Sequence, residues 1–405
     1  MSEHASSPRR PAIPRTIWAL GFVSLFTDMG SEMVHSLLPV LLAGTLGASA
    51  LTIGLIEGSA EALVLVTKVF SGYLSDALGK RKPLVLLGYG LAMVVKPLFP
   101  LAGSIAMVTT ARMLDRFGKG IRGAPRDAMV SDLAPAEIRG ACFGLRQSMD
   151  TVGAVLGPLL AVGLLWWFAN DITTVLWFAV LPGIVAVLVL LRVPEPADVA
   201  RRTARLPLSR EGVAKLGRPF WWLSALGVVI ALARFSEAFL VLRASERGLP
   251  LTYVPLVLVV MSVVYTLTAY PAGRLSDRVS RPKVLAIGMA VLVLADVALA
   301  LADGYPLLFA GIALWGLHLG LTQGILASLI ADVAPDPYRG TAFGVFNLLS
   351  GAALLLASVG AGWLWDRHGA PAAFWAGAAV AVVGMLAALA LRVDRGNTKP
   401  GQISV

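Results

Sequence analysis

Twelve long apolar stretches, closely and almost evenly spaced, constrain this chain more than any other feature. They fall at 16–44, 51–75, 84–103, 105–131, 140–167 and 172–192, and after a polar segment at 219–243, 250–274, 283–302, 304–331, 340–365 and 371–391. Crossing about 30 Å of hydrocarbon takes about 20 apolar residues in a helix, so each stretch is long enough to span a bilayer. Backbone polar groups in lipid must be bonded internally, which leaves helices or closed barrels. The period-2 alternation of barrel strands is absent, so the pattern predicts an all-α membrane protein with twelve transmembrane helices. Composition agrees. Of 405 residues, 57% are hydrophobic and 14% charged, with a mean hydropathy of +0.78; a soluble domain has about 25% charged residues. A soluble enzyme and a disordered chain are both excluded.

The net charge of +10 could suggest nucleic acid, but its distribution points to orientation. Lys80, Arg81 and Lys82 follow the second stretch, seven Lys/Arg between Arg192 and Arg218 follow the sixth, and Arg274, Arg278, Arg281 and Lys283 follow the eighth. The opposite connections carry only Arg243, Arg247 and Arg367. By the positive-inside bias both termini are cytoplasmic, in a multi-pass cell (inner) membrane protein. The basic segment 1–15 is no cleaved signal, because the apolar run after it continues to Gly44 and carries Asp28 and Glu32. One cysteine, Cys142, and four scattered histidines supply neither a disulfide nor a metal cluster. No cofactor, nucleotide or nucleic-acid partner is expected.

The chain repeats itself. SDLAPAEIRGACFGL (131–145) matches ADVAPDPYRGTAFGV (331–345), and GYLSDALGKRK (72–82) matches GRLSDRVSRPK (273–283). Offsets of half the chain mark two six-helix bundles, 16–192 and 219–391, related about an axis along the membrane normal. A linker, 193–218, joins them, and tails 1–15 and 392–405 flank them.

Gly72-Tyr-Leu-Ser-Asp76-Ala-Leu-Gly-Lys80-Arg81-Lys82 resembles the loop 2–3 motif of the major facilitator superfamily, with a degenerate copy containing Gly273, Asp277 and Arg278. Arg116-Phe-Gly-Lys119-Gly-Ile-Arg-Gly resembles the fourth-helix motif, with Lys119 where Gln is more usual. Gly144, Gly153, Gly157 and Pro158 match the fifth-helix antiporter motif, with Ala161 replacing its last Gly. The stretch GKGIRGAPRDA also looks like a poorly characterised prokaryotic branch. The resemblance implies a monomeric secondary transporter. It implies a cytoplasmic latch in which Asp76 meets the helix starting near Tyr338 to Thr341 and Asp277 the one starting near Ile138; Arg139 and Arg339 join this gate. It also implies that helices one, four, seven and ten line a central cavity. Gly118-Lys-Gly-Ile-Arg-Gly fits GxGxxG literally, but it follows no strand and lies inside an apolar helix, so nucleotide binding is rejected.

Charges inside the membrane carry the functional reading. The fourth stretch holds Arg112, Asp115, Arg116, Lys119, Arg122, Arg126 and Asp127. Facing lipid, these would cost on the order of 20 kcal/mol, so they must face protein or water. On a helix they fall within an arc of about 140°. Asp28, Glu32 and His35 share one stripe of the first helix, and Arg234 and Glu237 lie one turn apart on the seventh. Glu57, Lys68, Lys96, Arg122 and Arg126 read as structural pairs. Asp28 and Glu32 read as proton carriers, His35 as a relay, Arg116 as their modulator and partner of Glu32, and Asp115, Lys119, Arg234, Glu237, His318 and Gln323 as the rest of the cavity. The expected activity is proton-coupled efflux of a small organic, anionic solute by alternating access. Proton-linked uptake of an anionic nutrient or metal chelate is the alternative. A membrane enzyme or sensor is remote, since no nucleophile, metal cluster or appended soluble domain is visible.

Overall fold

The computed structural model describes residues 12–196, 208–335 and 338–390. The first part of the basic N-terminal tail, the middle of the linker with Arg201, Arg202 and Arg205, the C-terminal tail and the side chain of Asp277 lie outside the described residues.

Besides a short linker helix at Arg210–Ala214, twelve long helical segments among the described residues follow the twelve apolar stretches. They are α1 (Arg15–Val40), α2 (Ala50–Leu78), α3 (Lys82–Val95), α4 (Ile105–Leu133), α5 (Arg139–Trp167), α6 (Ile172–Leu191), α7 (Arg218–Glu246), α8 (Leu256–Arg278), α9 (Arg281–Leu301), α10 (Tyr305–Val333), α11 (Arg339–His368) and α12 (Ala370–Ala390). Among the described residues nine helices are long and apolar enough to cross a membrane by length and composition; the remaining three spans are α1, α3 and α4. The α3 helix is 14 residues long and is extended by a 3-10 turn at Lys96–Leu98. The α4 helix carries the seven charges. Local chemistry sets the ends. Ser49, Ser104 and Asp171 cap the first amides of α2, α4 and α6, and Gly79 takes the left-handed conformation, φ 62°, that ends α2.

Helices α1–α6 and α7–α12 form two bundles. In the first, α1 packs on α5, and α4 on α2 and α3; in the second, α9 packs on α10 and α12. Between bundles α2 lies along α11, α5 along α8, and α1 against the second part of α7. One end of the molecule carries the basic loops 2–3 and 8–9; the other is charge-poor.

The bundles are tied at the charge-poor end. Both Asp366 carboxylate oxygens accept amides at the start of α2, from Ala50 and Leu51, each at 2.9 Å. Thr252 donates to Asn170 across the α5–α8 seam at 2.6 Å. Backbone contact needs small residues here: a Cβ on Gly54 would stand 2.2 Å from the Ser358 carbonyl oxygen, and one on Gly362 2.5 Å from that of Ala50. Toward the basic end the bundles part around a central cavity.

Candidate functional site

The cavity lies between the bundles in two connected chambers. The larger, about 330 Å³, reaches toward the basic end and is lined by Asp28, Glu32, Lys68, Lys119, Arg122, Arg126, Gln147, Asp150, Glu237, Tyr265 and Gln323 among others. The smaller, about 220 Å³, lies deeper and is lined by Glu32, His35, Glu61, Arg116, Lys119, Arg234, Glu237 and Gln323. Glu32, Lys119, Glu237 and Gln323 border both.

The α4 charges reach three neighbouring helices and the end of α3. Arg112 meets Glu57 of α2 at 2.5 Å, and Arg116 meets Glu61 at 3.3 Å and Asp115 at 3.6 Å. Arg122 lies 3.9 Å from Asp28 of α1 and over the Tyr89 ring of α3, 4.6 Å from its centroid. Arg126 reaches Asp127 at 3.2 Å and Asp150 of α5 at 3.8 Å, and Arg146 bonds Asp150 in turn. The expected Glu32–Arg116 pair is replaced by two others. His35, one turn along α1, donates to Glu32 at 3.2 Å and stands 3.8 Å from Glu57, while Arg116 meets Glu61. Lys68, Lys119, Arg234 and Glu237 make no ion pair within 4 Å among the described residues.

The α7 helix corrects the continuous segment read from the sequence. It stops at Ala233 and resumes at Ala238, and Arg234 is extended, φ −116°, ψ 94°. The gap is held by its own serine: the Ser236 amide donates to Ser358 Oγ of α11 at 3.1 Å, and Ser236 Oγ accepts the Ala238 amide at 3.3 Å. Arg234, Phe235, Ser236 and Glu237 thus face the deep chamber from unwound backbone. Phe235 also joins Phe239, Trp315, Trp365 and Phe374 in a ring cluster with centroid spacings of 5.3–6.1 Å.

Two expected cavity residues stand elsewhere. Asp115 is buried in the first bundle 3.7 Å from Lys96, on the side of α4 that meets the end of α3. His318 is fully buried between α10 and α9, where its Nδ1 donates to the Gly288 carbonyl at 2.8 Å. Cavity residues not singled out by the sequence include Gln147 and Asp150, three apart on α5, and Tyr265 on α8; their spacing is a signal only once α5 is known to border the seam. Arg122, Arg126 and Lys68, read as structural, line the larger chamber, the two arginines while also paired.

The loop 2–3 motif forms a clasp within its own bundle. Buried Arg81 bonds Ser75, Asp76 and, at 3.4 Å, Asp132, while Glu195 accepts the Arg81 and Lys82 amides. The other bundle repeats it with Arg281 on Asp332, two hundred residues later. Lys80, Arg139, Gly273, Arg278 and Arg339 are exposed, and Gly72 faces Ala124 of α4. Gly153 and Gly157 let α5 touch the Leu25 and Met29 carbonyls of α1, and Pro158 is buried beside them; Gly144 borders open space at the α5–α8 seam. Two glycines of the rejected GxGxxG are packing residues, Gly118 against Gly88 of α3 and Gly120 against Thr67 of α2, and the third, Gly123, lines the larger chamber. Among the described residues no group of three or more His, Cys, Asp or Glu could hold a metal.

The family profile of the Major Facilitator Superfamily matches residues 20–255 and 228–404. The uncharacterized MFS-type transporter MJ1317 of Methanocaldococcus jannaschii is 31% identical over 359 residues, covering 87% of this chain and 89% of its own. Multidrug resistance protein MdtH of Cronobacter sakazakii is 26% identical over 390 residues, 93% of this chain and 94% of its own. Among solved structures, nucleoside transporter NupG superposes with a TM-score of 0.74 at 15% identity, covering 93% of this chain and 98% of its own. At that identity the likeness speaks for the fold.

Proposed function

The chain belongs to the Major Facilitator Superfamily and is a multi-pass membrane transporter, and from that premise we propose that it exports a small organic anion in exchange for protons by alternating access. The observation that carries this reading is the placing of Asp28, Glu32 and Glu237 with Lys119 and Arg234 around one cavity between the bundles. Carboxylates that share a cavity with cations exchange partners when a proton or an anion arrives. By the positive-inside bias the basic end, toward which the larger chamber reaches, is read as facing the cytoplasm across an inner membrane. Export is favoured by the antiporter-like α5 motif and by the likeness to a protein named for multidrug resistance.

In this scheme the unwound segment of α7 lends backbone and the Arg234 and Glu237 side chains to the solute, as discontinuous helices do in transporters. Lys119 supplies the cation nearest both chambers. Asp76, now held by Arg81, would swing to the start of α11 when the basic end closes.

A thermal-shift screen of the purified protein against drugs, carboxylates and metal chelates supplies ligands for proteoliposome flux under an imposed pH gradient. Wild-type protein should drive flux against the solute gradient. Glu32→Gln and Asp28→Asn should abolish driven flux while the protein still folds and binds, and Asp76→Asn should express normally but transport poorly. Normal pumping by both carboxylate variants would place the coupling site elsewhere.

A further inference from the structure

The larger chamber has a side opening. Between α5 and α8 a slot of about 550 Å³ is lined by Gly144, Val152, Val155, Leu156, Val263 and Leu267, with a few hydroxyl and amide groups. Gln147, Thr151 and Tyr265 line both the slot and the charged chamber, so the two spaces meet there. Val152, Leu156, Leu267 and Tyr270 are exposed on the outer side, which faces hydrocarbon in a bilayer. The other seam is shut. A Cβ on Gly58 of α2 would touch Ser358 and Leu355 of α11 at 3.0–3.2 Å, and one on Gly351 would lie 3.4 Å from the Ala62 Cα.

A soluble polar substrate needs no apolar slot beside its charged site, and a substrate that is only apolar gains nothing from cations. A ligand that uses both has a charged head and a hydrocarbon chain. Of the charged chamber residues that pair with no Lys, Arg, Asp or Glu, Lys68, Lys119 and Arg234 are cationic and Glu32 and Glu237 are anionic, which leaves one cation over for an anion. We infer that the transported solute is a single-chain anionic amphiphile that enters from the leaflet at the basic end, its head against Lys119 and its chain in the α5–α8 slot. The inference rests on the reading of a transported anion and adds its route and its second half. A chain that stays in an apolar slot escapes the cost of crossing water, about 0.8 kcal/mol per methylene.

The test uses the full chain in proteoliposomes with dodecyl phosphate carrying a photoactivatable diazirine in its tail. Crosslinks should concentrate on peptides spanning 144–156 of α5 and 263–270 of α8. Excess dodecyl phosphate should compete them away, and butyl phosphate should not. Lys119→Gln should lower labelling severalfold. Val155→Trp and Thr266→Trp, which fill the slot from opposite helices, should each remove it; either suffices if the other misfolds. Labelling spread evenly over the lipid-facing helices would overturn the inference, and so would equal labelling by a dodecyl phosphocholine probe. If a soluble anion drives proton-coupled flux while the amphiphile leaves the slot unlabelled, the amphiphile is wrong and the transport reading stands. If the slot labels as described but no pH gradient drives movement of the probe, the coupling is wrong and the ligand class stands.

Discussion

The two bundles share a fold and matched loop motifs, yet their interiors are built on opposite principles. The first is held by ions: Glu57–Arg112, Glu61–Arg116 and Asp115–Lys96 bind α2 and the end of α3 to α4, and Asp28 with Arg122 adds α1. The second is held by shape, with the Phe235, Trp315 and Phe374 rings around the α7 break and the Arg243 guanidinium capping the Leu299, Ala300 and Ala302 carbonyls at the end of α9. Arg243 pairs with Glu246 at its far end, and among the described residues the buried Asp296 and His318 have no ion partner within 4 Å. The difference follows from what surrounds each charge. A buried pair replaces lost hydration with Coulomb attraction, whereas an isolated buried group has only the dipoles beside it. Rearranging ion partners requires several of them within reach, which the first bundle has and the second lacks. In the proposed proton exchange this work would fall to α1, α2 and α4, with the unwound α7 segment as the second bundle's contribution.

The sharpest way to break this contrast is to unpair one member in the first bundle. Arg112→Met leaves Glu57 buried at 1% exposure and should destabilise the protein by about 3–5 kcal/mol, read as a large fall in melting temperature in detergent. Adding Glu57→Leu should recover most of the loss. If the double variant melts as low as the single one, the pair is not what holds α2 to α4.

The matching substitution in the second bundle should go the other way. Asp296 is fully buried, and neither carboxylate oxygen has a hydrogen-bond partner among the described residues. Asp296→Leu keeps a similar shape and removes two polar atoms, so it should stabilise by about 1–3 kcal/mol. A fall in melting temperature would overturn the reading of Asp296 as an unpartnered group.

How much of this was legible in the sequence depended on range. Helix positions and the two-fold repeat follow from runs of apolar residues, a local property that lipid enforces on every segment. The stripe of α1 charges and the charged face of α4 were equally plain, since helical period alone aligns them. Partners were not legible. His35 lies closer to Glu32 than Arg116 does because it shares a helix, while Glu61 lies opposite Arg116 only once α2 has docked on α4. The α7 break could not be read either, because Arg234 and Glu237 fit a continuous helix and the bond that holds the gap comes from Ser358, more than a hundred residues away. His318 looked like a cavity residue for want of knowing its rotation: its helix does border the cavity through Leu319 and Gln323, but one position earlier the side chain turns inward to Gly288.

The histidines give the smallest and most specific test of the contrast. His35 lies between two carboxylates, 3.2 Å from Glu32 and 3.8 Å from Glu57, and lines the deep chamber; His318 donates to one carbonyl and borders neither chamber. Gln can donate to either acceptor but does not gain a charge. His35→Gln should therefore leave stability within about 1 kcal/mol while reducing pH-gradient-driven flux. His318→Gln should have a similar stability effect and leave flux unchanged. Equal flux defects in the two variants would mean that protons also pass through the second bundle, and the division of labour between ionic and packed halves would have to be abandoned.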